Sequence, residues 1–414
     1  MKSSRVERWL ASSSTGVFAA WVMGAAFATY FCMYAFRKPF AVGTFAGEVE
    51  LPGLPPLDLK ILFIISQVIG YASSKFLGIK IVSELQPHRR ALAILAFIGL
   101  AEFALLLFAI VPAPYNALAM VLNGLPLGMI WGLVFGFLEG RETSDLLGAG
   151  LCASFILASG FTKMVGKVLM DAGIPELWMP FCTGLLFFAP LLFFLWMLVH
   201  IPEPTEADIR ARTRREPMNA ESRRAFFKAF APGLVLLIAG YIVLTAYRDF
   251  RDNFARELWD ALGYSGEPSI FTTAELPIAF GSLLAIALVV RVRDNRKALR
   301  LVHGIMIGGA LLTLGSTILF QLGILGPAPW MICVGLGLYL GYVPVNCVLF
   351  DRMIAAVGQA ATAGFLIYVA DASGYVGSVA LLLYKSFSHA DLSWLDFFLG
   401  ASYVTGVLCT IVFF

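Results

Sequence analysis

Charged and hydroxyl side chains recur at helical spacing inside otherwise apolar runs of this sequence. Tyr30, Tyr34 and Arg37 stand at i, i+4 and i+7, so a helix would place them on one face. An arginine offers a planar fork matched to phosphate or carboxylate oxygens, and tyrosine hydroxyls can orient the same anion. Tyr71 and Lys75 repeat the four-residue spacing with Ser73 and Ser74 between them, and Lys163 and Lys167 do so again. The run Tyr247-Arg248-Asp249-Phe250-Arg251-Asp252 packs four charges into five positions. In a helix, Arg248 shares a face with Arg251 and Asp252, whereas Asp249 points about 100° away. Glu275 and Asp371 are isolated carboxylates. A charge near the centre of a bilayer costs roughly 2.5–3.5 kcal/mol on insertion scales, which makes each of these residues a functional candidate. Cations (Arg37, Lys75, Lys163, Arg248, Arg251) outnumber the acids Asp252, Glu275 and Asp371, as a site for a divalent oxyanion requires. A structural reading stands beside each. Arg37, Lys38 and Lys75 can snorkel from helix ends to headgroups, and residues 247–252 can form a helix end with local ion pairs. Pro39 either ends the first helix or kinks it.

The elements carrying these residues are set by composition. Hydrophobic residues make up 59% of the 414 and charged residues 14%, with a mean hydropathy of +0.82. A soluble domain carries about 25% charged residues, so the chain is a polytopic membrane protein. Apolar segments fall near 13–44, 58–82, 90–112, 115–139, 146–170 and 177–200, and again near 231–256, 270–291, 298–321, 328–350, 358–385 and 392–414. The expected fold is all-α, with about twelve transmembrane helices in two bundles, 1–200 and 231–414, joined by a polar connector at 201–230. Val17–Phe36 is longer than the apolar core of a signal peptide and reads as an uncleaved first helix. Nineteen of the thirty Lys and Arg residues lie in segments on the side of the N-terminus, which places both termini in the cytoplasm. The six cysteines lie in apolar runs with no CxxC pair and read as buried thiols. The halves repeat: Arg37 and Arg248 are 211 positions apart, and Arg90 and Arg300 are 210 apart. Glu139/Arg141 and Asp351/Arg352 keep about the same offset. Two six-helix units with a cytosolic connector follow the parallel-repeat plan of facilitator transporters.

At Tyr30-Phe-Cys-Met-Tyr34-Ala-Phe-Arg37-Lys38-Pro-Phe40 the chain resembles the organophosphate:phosphate antiporter branch of the major facilitator superfamily, the glycerol-phosphate and hexose-phosphate carriers. It departs at Pro39, where that family usually has Asn. Tyr71-Ala-Ser-Ser-Lys75-Phe76 is similar to the family's second-helix pattern. The resemblance implies that Arg37, Lys75, Tyr30, Tyr34 and Tyr71 face a central cavity. It also implies that Arg248, or Arg251 in its stead, matches the seventh-helix arginine that grips phosphate together with the first-helix one. Glu275 resembles an eighth-helix glutamate, and Lys163 stands near the family's fifth-helix cavity histidine. The run from Ala361 through Ala380 looks alike in the eleventh helix. The facilitator loop motif is degraded to Ser83-Glu84-Leu-Gln-Pro-His-Arg89-Arg90. The helix neighbours of that family imply ion pairs Lys75–Asp371 and Lys163–Glu275.

The expectation is therefore a secondary carrier of an organic phosphate or similar oxyanion, with Arg37 and Arg248 clamping the anion and Glu275, Asp371 and Asp252 in coupling or gating. Two readings compete: a proton-coupled symporter in which Glu275 or Asp371 titrates, and a membrane sensor that binds an organophosphate without moving it. An enzyme is disfavoured by the lack of a Ser/His/Asp set, an HExxH motif, a metal cluster or a glycine-rich phosphate loop. The expected partners are a small anionic substrate and the lipid bilayer of the inner membrane. Neither a cofactor nor a nucleic acid is expected, and the chain is read as a monomer.

Overall fold

The structure, a computed structural model, describes residues 4–50, 53, 55–138, 144–203, 220–357, 363–388 and 391–414. Most of the polar connector, Glu139, Arg141, Ala361 and Thr362 lie outside the described residues. The chain divides into two compact units, Met1–Arg212 and Thr213–Phe414.

In the first unit a short helix α1 (Arg5–Ala11) precedes α2 (Thr15–Tyr34), α3 (Leu59–Glu84), α4 (Arg90–Ile110), α5 (Ala117–Phe135), α6 (Ser144–Asp171) and α7 (Met179–Val199). A two-residue hairpin pairs Glu48–Val49 with Leu57–Asp58, and Asp58 caps α3 by accepting from the Lys60 amide at 2.7 Å. The helix α4 shows how such a sequence sorts itself. Ile94, Ile98, Ala101, Leu105 and Phe108 form a buried stripe, while Leu92, Phe103 and Ile110 are exposed apolar residues suited to lipid.

In the second unit the long helices are α8 (Ala220–Asn253), α11 (Glu275–Val290), α12 (Asn295–Gln321), α13 (Pro327–Pro344), α15 (Ala363–Ser388) and α16 (Trp394–Phe413). The short helices α9 (Ala255–Ala261), α10 (Ile270–Thr273) and α14 (Phe350–Val357) complete it. A π-helical turn, Val345–Leu349, follows Pro344, whose missing N–H already interrupts the α-helical ladder. Among the described residues one long helix overlaps each apolar segment anticipated from sequence. Among the described residues ten helices are long and apolar enough to cross a membrane. With α3 and α15, each 26 residues and so about 39 Å at 1.5 Å per residue, the chain is an all-α integral membrane protein.

Two helix ends bear on the candidate site. Near the end of the seventh apolar run α8 stops at Asn253, and Phe254 (φ −108°, ψ 22°) breaks the path before α9. The fully buried Phe254 ring stacks on Trp394 with centroids 4.0 Å apart. The first helix also stops early, at Tyr34, and after a turn through Arg37 a short 3-10 helix spans Pro39–Val42.

Inside the first unit α3 and α5 cross at backbone contact. A Cβ added at Gly70 would lie 2.1 Å from the Val121 carbonyl oxygen, and one at Gly124 would lie 2.2 Å from that of Gln67. Small residues permit this approach in a bilayer, where helices associate by close packing.

Candidate functional site

Each unit gathers its own polar cluster. In the first, Tyr30 and Tyr34 are buried with their rings edge to face, centroids 5.6 Å apart. Arg37 is only 6% exposed, and its guanidinium carbon lies 3.7 Å from the centroid of the Tyr71 ring. The ammonium of Lys75, also buried, lies 5.2 Å from the same centroid. One aromatic ring thus brings together the two cations singled out in the first two spans. Lys163 is buried on α6, whose next turn packs on the 3-10 helix: a Cβ at Gly166 would sit 3.2 Å from the Pro39 ring. Lys167 instead pairs with Asp171 one turn along, toward the exposed end of α6.

The break at the end of α2 leaves main-chain carbonyls that an α-helix would satisfy, and two side-chain amides supply donors. Gln67 Nε2 donates to the Arg37 carbonyl at 3.1 Å and to Asn123 Oδ1 at 2.8 Å. Asn123 Nδ2 donates to the carbonyls of Phe36 at 3.0 Å and Ala101 at 3.1 Å. Both amides are buried. Neither was anticipated from sequence. The signal available was an uncharged polar residue in an apolar span, one of them four positions before Tyr71.

In the second unit Arg248 donates from Nε (3.1 Å) and Nη2 (2.6 Å) to Asp249 Oδ1. Asp249 Oδ2 accepts from the Ser378 hydroxyl at 2.7 Å. The adjacent acid, expected to point away, is thus within reach of the long arginine side chain. The guanidinium carbon of Arg248 lies 4.3 Å from the Tyr342 centroid, and Tyr342 stacks on Tyr241 at 5.0 Å. The Tyr241 hydroxyl donates to Asp371 Oδ1 at 2.5 Å and accepts from Asn346 Nδ2 at 3.1 Å. Tyr241, Tyr342, Asn346 and Ser378 were not anticipated. Tyr241 had a legible signal, because it precedes Arg248 by seven positions as Tyr30 precedes Arg37.

Arg251 has a different place. Its Nη1 donates to Glu275 Oε1 at 2.8 Å and its Nη2 to the Met331 carbonyl at 3.3 Å. Gly335 makes room for it, since a Cβ there would lie 2.8 Å from Nη2. Glu275 thus pairs within its own unit with Arg251, and Asp371 with Tyr241. Asp252 follows Arg251 at the end of α8, half-buried.

The helical fold is similar to that of solved membrane transporters. The crystal structure of a D-xylose–proton symporter is similar, with a TM-score of 0.65 and 14% identity over 95% of this chain and 97% of that one. A peptide transporter (POT) in complex with sulfate gives 0.61 and 14% over 99% and 98%. The human organic anion transporter MFSD10 (TETRAN) gives 0.59 and 12% over 97% and 99%. These neighbours are transporters, and at such identities the likeness is one of fold. Residues 39–414 match the "Family of unknown function (DUF5690)", and the chain belongs to that family. No curated protein matches it in sequence.

Proposed function

We propose that the protein is a secondary active transporter that moves an organic phosphate, or a similar oxyanion, by alternating access in exchange for inorganic phosphate. It acts as a monomer in the inner membrane with both termini in the cytoplasm. Arg37 and Arg248 are its principal anion-binding groups. Lys75 and Lys163 add positive potential, and Tyr30, Tyr34 and Tyr71 orient the ligand. The observation that carries this reading is the Arg37–Tyr71–Lys75 cluster and the charge balance around it. Among the described residues of the first unit the buried ionisable cations are Arg37, Lys38, Lys60, Lys75 and Lys163, against Glu102 as the buried carboxylate. So positive an interior favours an anionic ligand.

The test is counterflow in liposomes: labelled phosphate trapped inside, challenged from outside with phosphate esters and carboxylates. Exchange with phosphate esters supports the proposal. Arg37→Lys and Arg248→Lys should each lower it by roughly a hundredfold, because an ammonium cannot reproduce the bidentate fork. Uptake that ignores trapped phosphate and collapses with an uncoupler would replace exchange by proton symport. Binding without translocation would make the protein a sensor.

A further inference from the structure

We infer that Gln67 and Asn123 are positioning residues for Arg37, setting the affinity for the anion without touching it. The inference rests on the oxyanion reading above. Pro39 carries no N–H, so the ladder of the first span cannot continue through it. The Ala41 amide turns to the Lys38 carbonyl, so the carbonyls of Phe36 and Arg37 take their donors from side chains. In a bilayer that requirement is strict, since lipid offers no replacement donor. Gln67 and Asn123 meet it with all four of their amide N–H bonds. Two go to Arg37 and Phe36, one to Ala101 on α4, and one joins the amides to each other.

The geometry ties the main chain of Arg37 to its side chain. Gln67, Tyr71 and Lys75 stand at i, i+4 and i+8 on α3 and share a face. The first holds the Arg37 carbonyl, the second carries its guanidinium, and the third places a second cation on the same ring. Asn123 reaches this ladder because α5 crosses α3 at backbone contact beside it, at Gly124. A structural role alone would need donors for the carbonyls. It would not need one of those donors on the α3 face that also holds the guanidinium.

The test uses the full-length protein in liposomes loaded with inorganic phosphate, with labelled phosphate as the probe. Gln67→Met keeps the shape of the side chain and removes its donors, and Asn123→Ala removes the second amide. Either should raise the half-saturation concentration about tenfold or more, with the maximal exchange rate within about threefold of the parent, since a small misplacement of a binding group is felt as lost affinity. Asn123→Gln, which keeps an amide, should recover part of the loss. A fall in maximal rate and melting temperature with unchanged half-saturation would overturn the inference in favour of plain structural support.

A second readout does not depend on transport. The rate at which an arginine-specific dicarbonyl modifies Arg37, read by peptide mass spectrometry, should rise in both variants while that of Arg248 stays constant. If the parent carries no phosphate, the oxyanion reading fails, and this measurement still decides the positioning. An unchanged rate at Arg37 overturns it.

Discussion

Arg37 lies over the face of Tyr71, its guanidinium carbon 3.7 Å from the ring centroid. Stacking occupies the flat face of a guanidinium, whereas hydrogen bonds use its edge, so the ring can fix the plane of the fork without competing for its donors. Tyr71 therefore fixes the plane of a buried cation, the one proposed above to bind the anion.

Tyr71→Leu should raise the half-saturation for phosphate about 5- to 30-fold, the equivalent of a desolvated cation–π contact of about 1–2 kcal/mol. Tyr71→Phe keeps the ring and should lose less. Equal losses in the two variants, measured by liposome exchange, would assign the effect to the hydroxyl.

The Arg251–Glu275 pair should act as a brace. Both side chains are largely buried, 6% and 13% exposed, with nitrogen and oxygen 2.8 Å apart. Removing one partner leaves a buried charge alone, at about 3–5 kcal/mol. Glu275→Ala should therefore lower the melting temperature in detergent sharply. The double variant Arg251→Met/Glu275→Ala should lose less than the two single losses combined. Additive losses would mean that the two residues do not depend on each other.

Glu102 should prove tolerant of losing its charge. Neither of its oxygens has a hydrogen-bond partner among the described residues, and the carboxyl fills the space beside Gly184, where a Cβ would lie 2.1 Å from Oε2. Gly184→Ala should destabilise the fold, and adding Glu102→Ala should restore part of the loss. Glu102→Gln should leave the melting temperature unchanged or raised. A sharp drop for Glu102→Gln would show that the ionised carboxylate is needed.

At the start of α12 the Asp294 carboxylate accepts from the Lys297 amide at 2.8 Å. That bond, with the charges of Lys297 and Arg300, holds its pKa below the usual carboxylate value. The folded state thus favours the ionised form. The stabilisation is present above the unfolded pKa, near 4, and is lost as pH falls through the lower folded value. Asp294→Ala should lower the melting temperature at neutral pH, and the gap should narrow in acid. A gap independent of pH would exclude the carboxylate charge as its source.

The fold was legible because apolar runs of the right length have few alternatives in a bilayer. The face shared by Tyr30 and Tyr34 follows from helical spacing alone. The turn at Arg37 was not decidable, since Pro39 in an apolar stretch is compatible with either a kink or a stop. Gln67 and Asn123 are not legible in the same way, because amides carry no charge to mark them. Helical spacing gives the direction of the Asp249 Cα–Cβ bond, which says little about how far a long arginine can reach. Long-range partners such as Arg251 and Glu275, or Tyr241 and Asp371, depend on packing between helices that a single sequence does not display.

The crossing at Gly70 and Gly124 is so narrow that its geometry depends on the absence of two methyl groups. One added carbon at either position would wedge the helices apart, because what it would strike is main chain, which cannot swivel aside. The amides beside the crossing would separate, and the turn that presents the arginine would come loose. The aim of a cationic side chain just beyond the first span is thus set by hydrogen atoms on the second and the fourth.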